Sequence, residues 1–151
     1  YRDAKPNSYI IEQIPKGEKF ESWTKLYAVA GVKTADLDFK TFLFSTLGIY
    51  AQVCGREHLK IQTVMSSQNR TMVIIFCQNS PHGPENLGYG EGKGEITLML
   101  LAKPFGTNLK IYQNWRGEKY DVTDKATWPV SEDELKLMVK RFSSIKAKRV
   151  E

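Results

Sequence analysis

Histidine and cysteine are the scarcest reactive side chains in this 151-residue chain, which holds His58 and His82, Cys54 and Cys77 and no others. A structural zinc site needs about four nitrogen or sulfur ligands brought together. No close His/Cys cluster supplies them, so neither a metal nor any other cofactor is expected. Long apolar runs are also missing, since none approaches the roughly 20 residues that span a bilayer as a helix. There is no internal repeat, no low-complexity stretch and no convincing linker. One α+β domain over 1–151, with a flexible lead at 1–8 and a basic end at 146–151, is the simplest account. The chain begins at Tyr1 rather than at methionine. It is therefore expected to be a processed or trimmed chain, from which a signal peptide or lipid anchor can have been lost.

Excess charge is absent from most of the chain as well. Lysine and arginine number 22 against 17 acids. The whole excess lies after residue 135, where Lys136, Lys140, Arg141, Lys146, Lys148 and Arg149 face only Glu151. Such a cluster can attract phosphates or an anionic membrane surface, or it can simply favour the negative end of a helix dipole. Residues 1–135 carry as many acids as bases, which argues against a nucleic-acid surface on the body of the protein.

What the chain does have is apolar patterning. The run Met72–Cys77 reads as a strand buried on both faces. Strands are also expected at Tyr9–Ile14, Phe20–Val32, Leu59–Met65, Glu95–Lys103 and Asn108–Arg116, about six in all. Pro15-Lys16-Gly17-Glu18 separates the first two as a turn, and Lys103–Asn108 turns between the last two. Phe39, Phe42, Leu43, Thr46, Leu47, Tyr50 and Val53 recur at helical spacing. Thr34 can cap that helix with Asp36 and Asp38 in its first turn, and Gly55 stops it, giving a long helix over 35–54. A second helix over 131–148 has Ser131 and Glu134 as a capping box, Val130 and Leu135 as a staple, and an apolar stripe through Met138, Val139, Phe142 and Ile145. The expected architecture is an antiparallel sheet covered on one side by both helices.

Candidate sites are few. Asn79–Gly94 is a glycine-rich connection long enough to be a binding loop, with His82, Glu85, Tyr89, Glu91 and Lys93 as its candidate contacts. A phosphate loop needs a strand before it, a helix after it and a lysine with a hydroxyl, whereas here a strand follows. Ser80, His82 and Glu85 would be the groups of a small hydrolase, although neighbours in one loop rarely hold catalytic geometry. Glu91 and Glu95 read as solvated charges. Trp23, Tyr112, Trp115 and Arg116 offer an aromatic and basic surface, or else fill core and edge positions. The basic helix presents Lys140, Arg141, Lys146 and Lys148. Cys54 ends the long helix and Cys77 ends the apolar strand. The two can meet as a disulfide if the helix lies across the sheet, or stay as two buried thiols.

The stretches Gly17-Glu18-Lys19-Phe20-Glu21-Ser22-Trp23-Thr24 and Lys110-Ile111-Tyr112-Gln113-Asn114-Trp115-Arg116-Gly117 resemble patterns in small uncharacterised exported proteins of proteobacteria. The order of elements is similar to the α+β sandwich of the Mog1 and PsbP-like proteins. That resemblance implies a binding or assembly subunit, with a protein partner, in a bacterial envelope and so periplasmic or secreted. It supplies no ligand motif that can be carried over to a residue of this chain.

Overall fold

Strand β5 (Arg70–Cys77) is buried at every residue from Thr71 to Cys77, and β6 (Lys93–Ala102) is buried from Gly94 to Leu101. Alternate residues of a strand point to opposite faces. Strands buried along both faces therefore need cover on both sides. In the computed structural model, which describes residues 1–33, 37–79 and 92–148, that cover comes from two helices on opposite faces. α1 (Phe39–Cys54) packs Phe39 and Phe42 against Val73, Ile75, Met99 and Leu101. α2 (Glu132–Ser143) packs Leu135 and Phe142 against Met72, Ile74, Phe76, Ile96, Leu98 and Leu100. The expectation of both helices on one side is corrected: β5 is apolar on both faces from Met72 to Cys77, and that requires one helix for each face.

The remaining strands are β1 (Arg2–Lys5), β2 (Ser8–Gln13), β3 (Lys25–Val32), β4 (Leu59–Ser67) and β7 (Asn108–Glu118). All pairings are antiparallel in one seven-stranded sheet of order β1-β2-β3-β7-β6-β5-β4. After the β1-β2-β3 meander, α1 carries the chain over one face to the far edge. Four strands then return until β7 docks on β3.

The seventh strand is β1, where the sequence reading has a flexible lead. Lys5 pairs with Ser8 across a tight turn at Pro6 and Asn7, and the Tyr1 ammonium donates to the Glu12 carbonyl at 2.8 Å. β3 starts at Lys25 rather than Phe20, which leaves Trp23 in the connection before it. α1 starts later than expected and is capped by Asp38, whose carboxylate accepts from the Thr41 N–H and hydroxyl at 2.8 Å each. The expected cap Thr34 and first-turn Asp36 lie outside the described residues. Gly55 does end α1, at φ 71°, a conformation that disfavours any side chain.

α2 begins as expected, with Ser131 accepting from the Glu134 N–H at 3.2 Å. It ends at Ser143 rather than 148. The Ser143 and Ser144 hydroxyls donate back to the Val139 and Arg141 carbonyls, and serines in that role weaken a helix end. The Arg70 guanidinium donates to the carbonyls of Phe142, Ser143 and Ile145 at 2.8–3.2 Å, satisfying the acceptors a helix leaves exposed there.

Candidate functional site

On the α1 face, β7 presents Lys110, Tyr112, Asn114 and Arg116 in turn, while Ile111 and Trp115 go to the α2 side. These alternate residues form the floor of a cleft of about 370 Å³ between α1 and the sheet, within the usual range of ligand pockets. Thr46, Ile49, Tyr50, Val53 and Cys54 of α1 make one wall. Phe20, Glu21, Trp23 and Leu26 make another, Glu12 of β2 stands at the Tyr112 end, and Cys77 lines the cleft beside Cys54.

The floor is polar and ordered. Glu95 lies directly across from Arg116 in the β6–β7 register, and only 3% of it is exposed. Its Oε2 accepts from the Arg116 guanidinium at 3.2 Å, and its Oε1 accepts from Asn114 Nδ2 at 2.9 Å and Thr97 Oγ1 at 3.2 Å. The Trp23 indole lies over the Arg116 guanidinium, 3.5 Å from ring centroid to Cζ. The expectation that Glu95 is solvated is therefore corrected. β6 begins two residues before it, so Glu95 sits inside the sheet, neutralised from the neighbouring strand.

At the other end the Tyr112 hydroxyl donates to Glu12 Oε1 at 3.4 Å, and Lys110 Nζ stands 5.0 Å from the Tyr112 ring centroid. Burial lowers the Lys110 ammonium pKa, with Glu12 opposing the shift. Burial likewise pushes the Tyr112 and Tyr50 phenols well above the ordinary tyrosine range. Both remain neutral hydrogen-bonding groups at physiological pH.

The structure brings Trp23, Tyr112 and Arg116 together in a cleft, and none of them is an exposed surface group. Trp115 is separated from them on the opposite face, where its Nε1 donates to Glu134 Oε1 at 3.0 Å. That carboxyl oxygen also accepts from Lys25 Nζ at 2.9 Å, and these contacts hold its pKa down. Lys93 opens β6 and pairs with Glu118. His82, Glu85, Tyr89 and Glu91, like Ser80, lie outside the described residues. Lys140 and Arg141 are exposed in the last turn of α2, whereas Lys146 and Lys148 are exposed beyond its end, so they do not belong to one basic helix.

Cys54 and Cys77 stand at disulfide distance, with Cα atoms 5.6 Å apart. Among the described residues no group of three His, Cys, Asp or Glu is placed to hold a metal ion, and no helix is long and apolar enough to cross a membrane. Sequence reasoning missed Glu12, Tyr50 and Asn114 as cleft residues.

A seven-stranded antiparallel sheet between two helices, with an amphipathic cleft under one of them, defines an α+β sandwich. No protein-family model matches the chain, and no curated protein matches its sequence. Two solved structures resemble it in fold. The Saccharomyces cerevisiae Ran-binding protein Mog1p aligns over 92% of this chain and 69% of its own, at 10% identity and a TM-score of 0.41. A mutant of protein Mog1 aligns over 93% and 70%, at 11% identity and the same TM-score. The chain has a weak Mog1-like resemblance of fold.

Proposed function

We propose that this chain is a non-enzymatic binding or assembly module that works outside the cytoplasm, in a bacterial envelope, as an accessory to a secretion or surface apparatus. It engages a protein partner at the cleft between α1 and the sheet. The observation that carries the reading is the cleft itself, with aromatic and aliphatic walls around an ordered polar floor. Such a combination fits binding, since a few placed polar groups in an apolar pocket fix orientation. Burial of Glu95 and Arg116 against each other engages both charges in holding the floor.

Ile49 and Phe20 stand at the mouth, 57% and 40% exposed, so a charge placed there changes the entrance without entering the core. Ile49→Glu and Phe20→Glu are expected to leave the melting temperature nearly unchanged and to abolish retention of the partner from an envelope extract of the native host. Retention equal to that of the parent would sink the assignment. The extracytoplasmic part of the reading is supported by the cysteine pair, because disulfides persist in oxidising compartments.

A second reading has its own observation. Arg70 already occupies the carbonyls at the end of α2, leaving Lys140, Arg141, Lys146 and Lys148 exposed to solvent. Contact with an anionic membrane surface through these cations predicts vesicle binding that weakens steeply between low and moderate salt. Each cation near such a surface contributes about 1 kcal/mol. Binding that ignores salt, or survives neutralising all four, rules this reading out.

A further inference from the structure

Resting on the second reading, contact with an anionic membrane, we infer that the docking surface is one whole end of the sheet, where cations from both halves of the chain surround the Phe105 turn and its ring enters the lipid. Strand register defines that end. Lys5 pairs with Ser8, Ser8 with Val32, Val32 with Asn108, and Ala102 with both Leu109 and Arg70, so one row across the sheet joins the ends of β1, β3 and β6 to the starts of β2, β5 and β7. Lys33 extends the row, its N–H donating to the Asn7 carbonyl at 2.8 Å. α1 starts beside it, since Lys103 Nζ and Asn108 Nδ2 donate to the Leu37 carbonyl at 2.9 Å each, and α2 finishes beside it, where Arg70 holds the last carbonyls. Lys5, Lys33 and Lys40 are thereby brought to the same end as Lys140, Arg141, Lys146 and Lys148, and all seven are exposed. Among the described residues the acids at this end are Asp3 and Asp38, and Asp38 is engaged in capping α1. At the opposite end Glu18, Glu57, Glu118, Asp121, Asp124 and Asp133 are mixed with the bases. Residues 1–135 balance in sum, but the fold segregates their charge.

Phe105 supplies the apolar element. Its turn is the longest of the three hairpin turns here, with six residues between the paired Ala102 and Leu109 against two at Pro6-Asn7 and two at Gln68-Asn69. Phe105 is 61% exposed in that turn, and it is the one non-glycine among the described residues with a positive φ, 51°. Glycine or asparagine adopts this conformation readily, whereas a bulky side chain strains it. Strain kept at an exposed apolar residue points to a function for that residue. A bilayer fits the arrangement, since an aromatic ring can enter the boundary between headgroups and acyl chains while the surrounding cations stay at the phosphates. Single-stranded nucleic acid would ask instead for a groove with successive aromatics to stack on. Among the described residues the turns at this end carry one aromatic, set among cations drawn from both faces of the sheet. Docking here also leaves the cleft open, because its helical wall, Thr46 to Cys54, is the half of α1 that runs to the opposite end.

The test sediments the full chain with vesicles of phosphatidylcholine alone and of phosphatidylcholine with phosphatidylglycerol in equal parts. The parent is expected to sediment with the acidic vesicles and to stay in solution with the neutral ones. Lys5→Gln, Lys33→Gln and Lys40→Gln together should weaken partitioning by about fivefold for each cation removed. Lys16→Gln, Lys19→Gln and Lys60→Gln make the same change of charge at the opposite end and should leave it nearly unchanged. Phe105→Asn relieves the positive φ, so it should keep the melting temperature of the parent and still weaken partitioning by roughly fivefold or more. Equal losses from the two lysine triples, or no loss from either, would overturn the assignment of this end and leave contact through the cations that follow residue 139 standing. Undiminished partitioning of Phe105→Asn would overturn the insertion of the ring. Failure of the parent to bind acidic vesicles would overturn both the inference and the reading on which it rests. Binding of an oligothymidylate by a parent that ignores the vesicles would make the partner a nucleic acid and overturn the assignment to a membrane.

Discussion

Arg116→Met is expected to be among the most damaging single substitutions in this protein at neutral pH. It keeps an unbranched apolar stem and removes the cation from a carboxylate that is 3% exposed. Removing one partner of a buried ion pair typically destabilises by about 3–5 kcal/mol, because the other charge stays buried. The guanidinium also lies 3.5 Å over the Trp23 ring, and a desolvated contact of that kind is worth about 2 kcal/mol. Both terms belong to the same group and do not add, so a loss of about 4 kcal/mol is expected, a large part of the roughly 5–15 kcal/mol available to a folded domain. Urea unfolding at pH 7 measures this loss. The double variant Glu95→Gln with Arg116→Met keeps an acceptor for Asn114 without a charge and should recover most of the loss. A loss under about 1 kcal/mol for Arg116→Met, or a double variant no better than the single one, would refute the reasoning.

Two glycines should respond oppositely to alanine. At Gly94 an added Cβ would lie 2.6 Å from Tyr120 Cδ1 and 2.9 Å from the Gln78 carbonyl oxygen, so Gly94→Ala should destabilise by about 1–3 kcal/mol in urea unfolding. At Gly48 within α1 it meets nothing within 4 Å, and Gly48→Ala should stabilise by about 0.5–1 kcal/mol; a loss there would show that this face is packed. The Glu132 carboxyl accepts from Lys125 and Lys136, both at 2.9 Å, and these hydrogen bonds draw its pKa down to about 2. Its contribution to stability is therefore present above the unfolded pKa and lost as pH falls through about 2. Carboxyl NMR should find that midpoint in the parent and a return toward the ordinary range in Lys125→Ala with Lys136→Ala, whereas an ordinary midpoint in the parent would contradict the two contacts.

Much of the scaffold was legible because the signals were local. Ser131 announces the start of α2, Gly55 stops α1, and Met72–Cys77 declares a strand buried on both faces. That last feature also implied a helix on each face, an implication the expected one-sided arrangement did not follow. The pairing of Glu95 with Arg116 was harder to read because it depends on strand register, and a one-residue slip would send Glu95 to the other face. The long connection before β6 leaves that register unspecified in the sequence. Trp23 was misplaced for a related reason: Phe20–Val32 alternates like one strand, but only Lys25–Val32 pairs, and Trp23 reaches Arg116 from the connection. Asn114 carried no signal of its own, since an asparagine in a strand becomes informative only once its amide is seen held by a buried carboxylate.

The cysteine pair joins the question of location to the question of binding. Cys54 is the last residue of α1, Cys77 is the last of β5, and both line the cleft. A bond between them ties the C-terminal end of the cleft's helical wall to the sheet that forms its floor. With 23 residues of sequence separation, the chain-entropy relation gives roughly 3 kcal/mol of stabilisation. For a chain of this size that corresponds to a fall of about 6–12 °C in melting temperature on reduction. Binding at the cleft should fall as well, because a wall released at one end samples positions in which the cleft no longer fits its ligand, and affinity drops with the fraction of competent molecules. Protein taken from its native compartment and unfolded without reductant should show no titratable thiols. Cys54→Ser with Cys77→Ser should then retain the partner from an envelope extract more weakly than the oxidised parent at a temperature where both are folded. Two free thiols would remove the bridge and with it the support for an extracytoplasmic location. Equal affinity would mean that α1 is held in place by its packing on Val73, Ile75, Met99 and Leu101 alone.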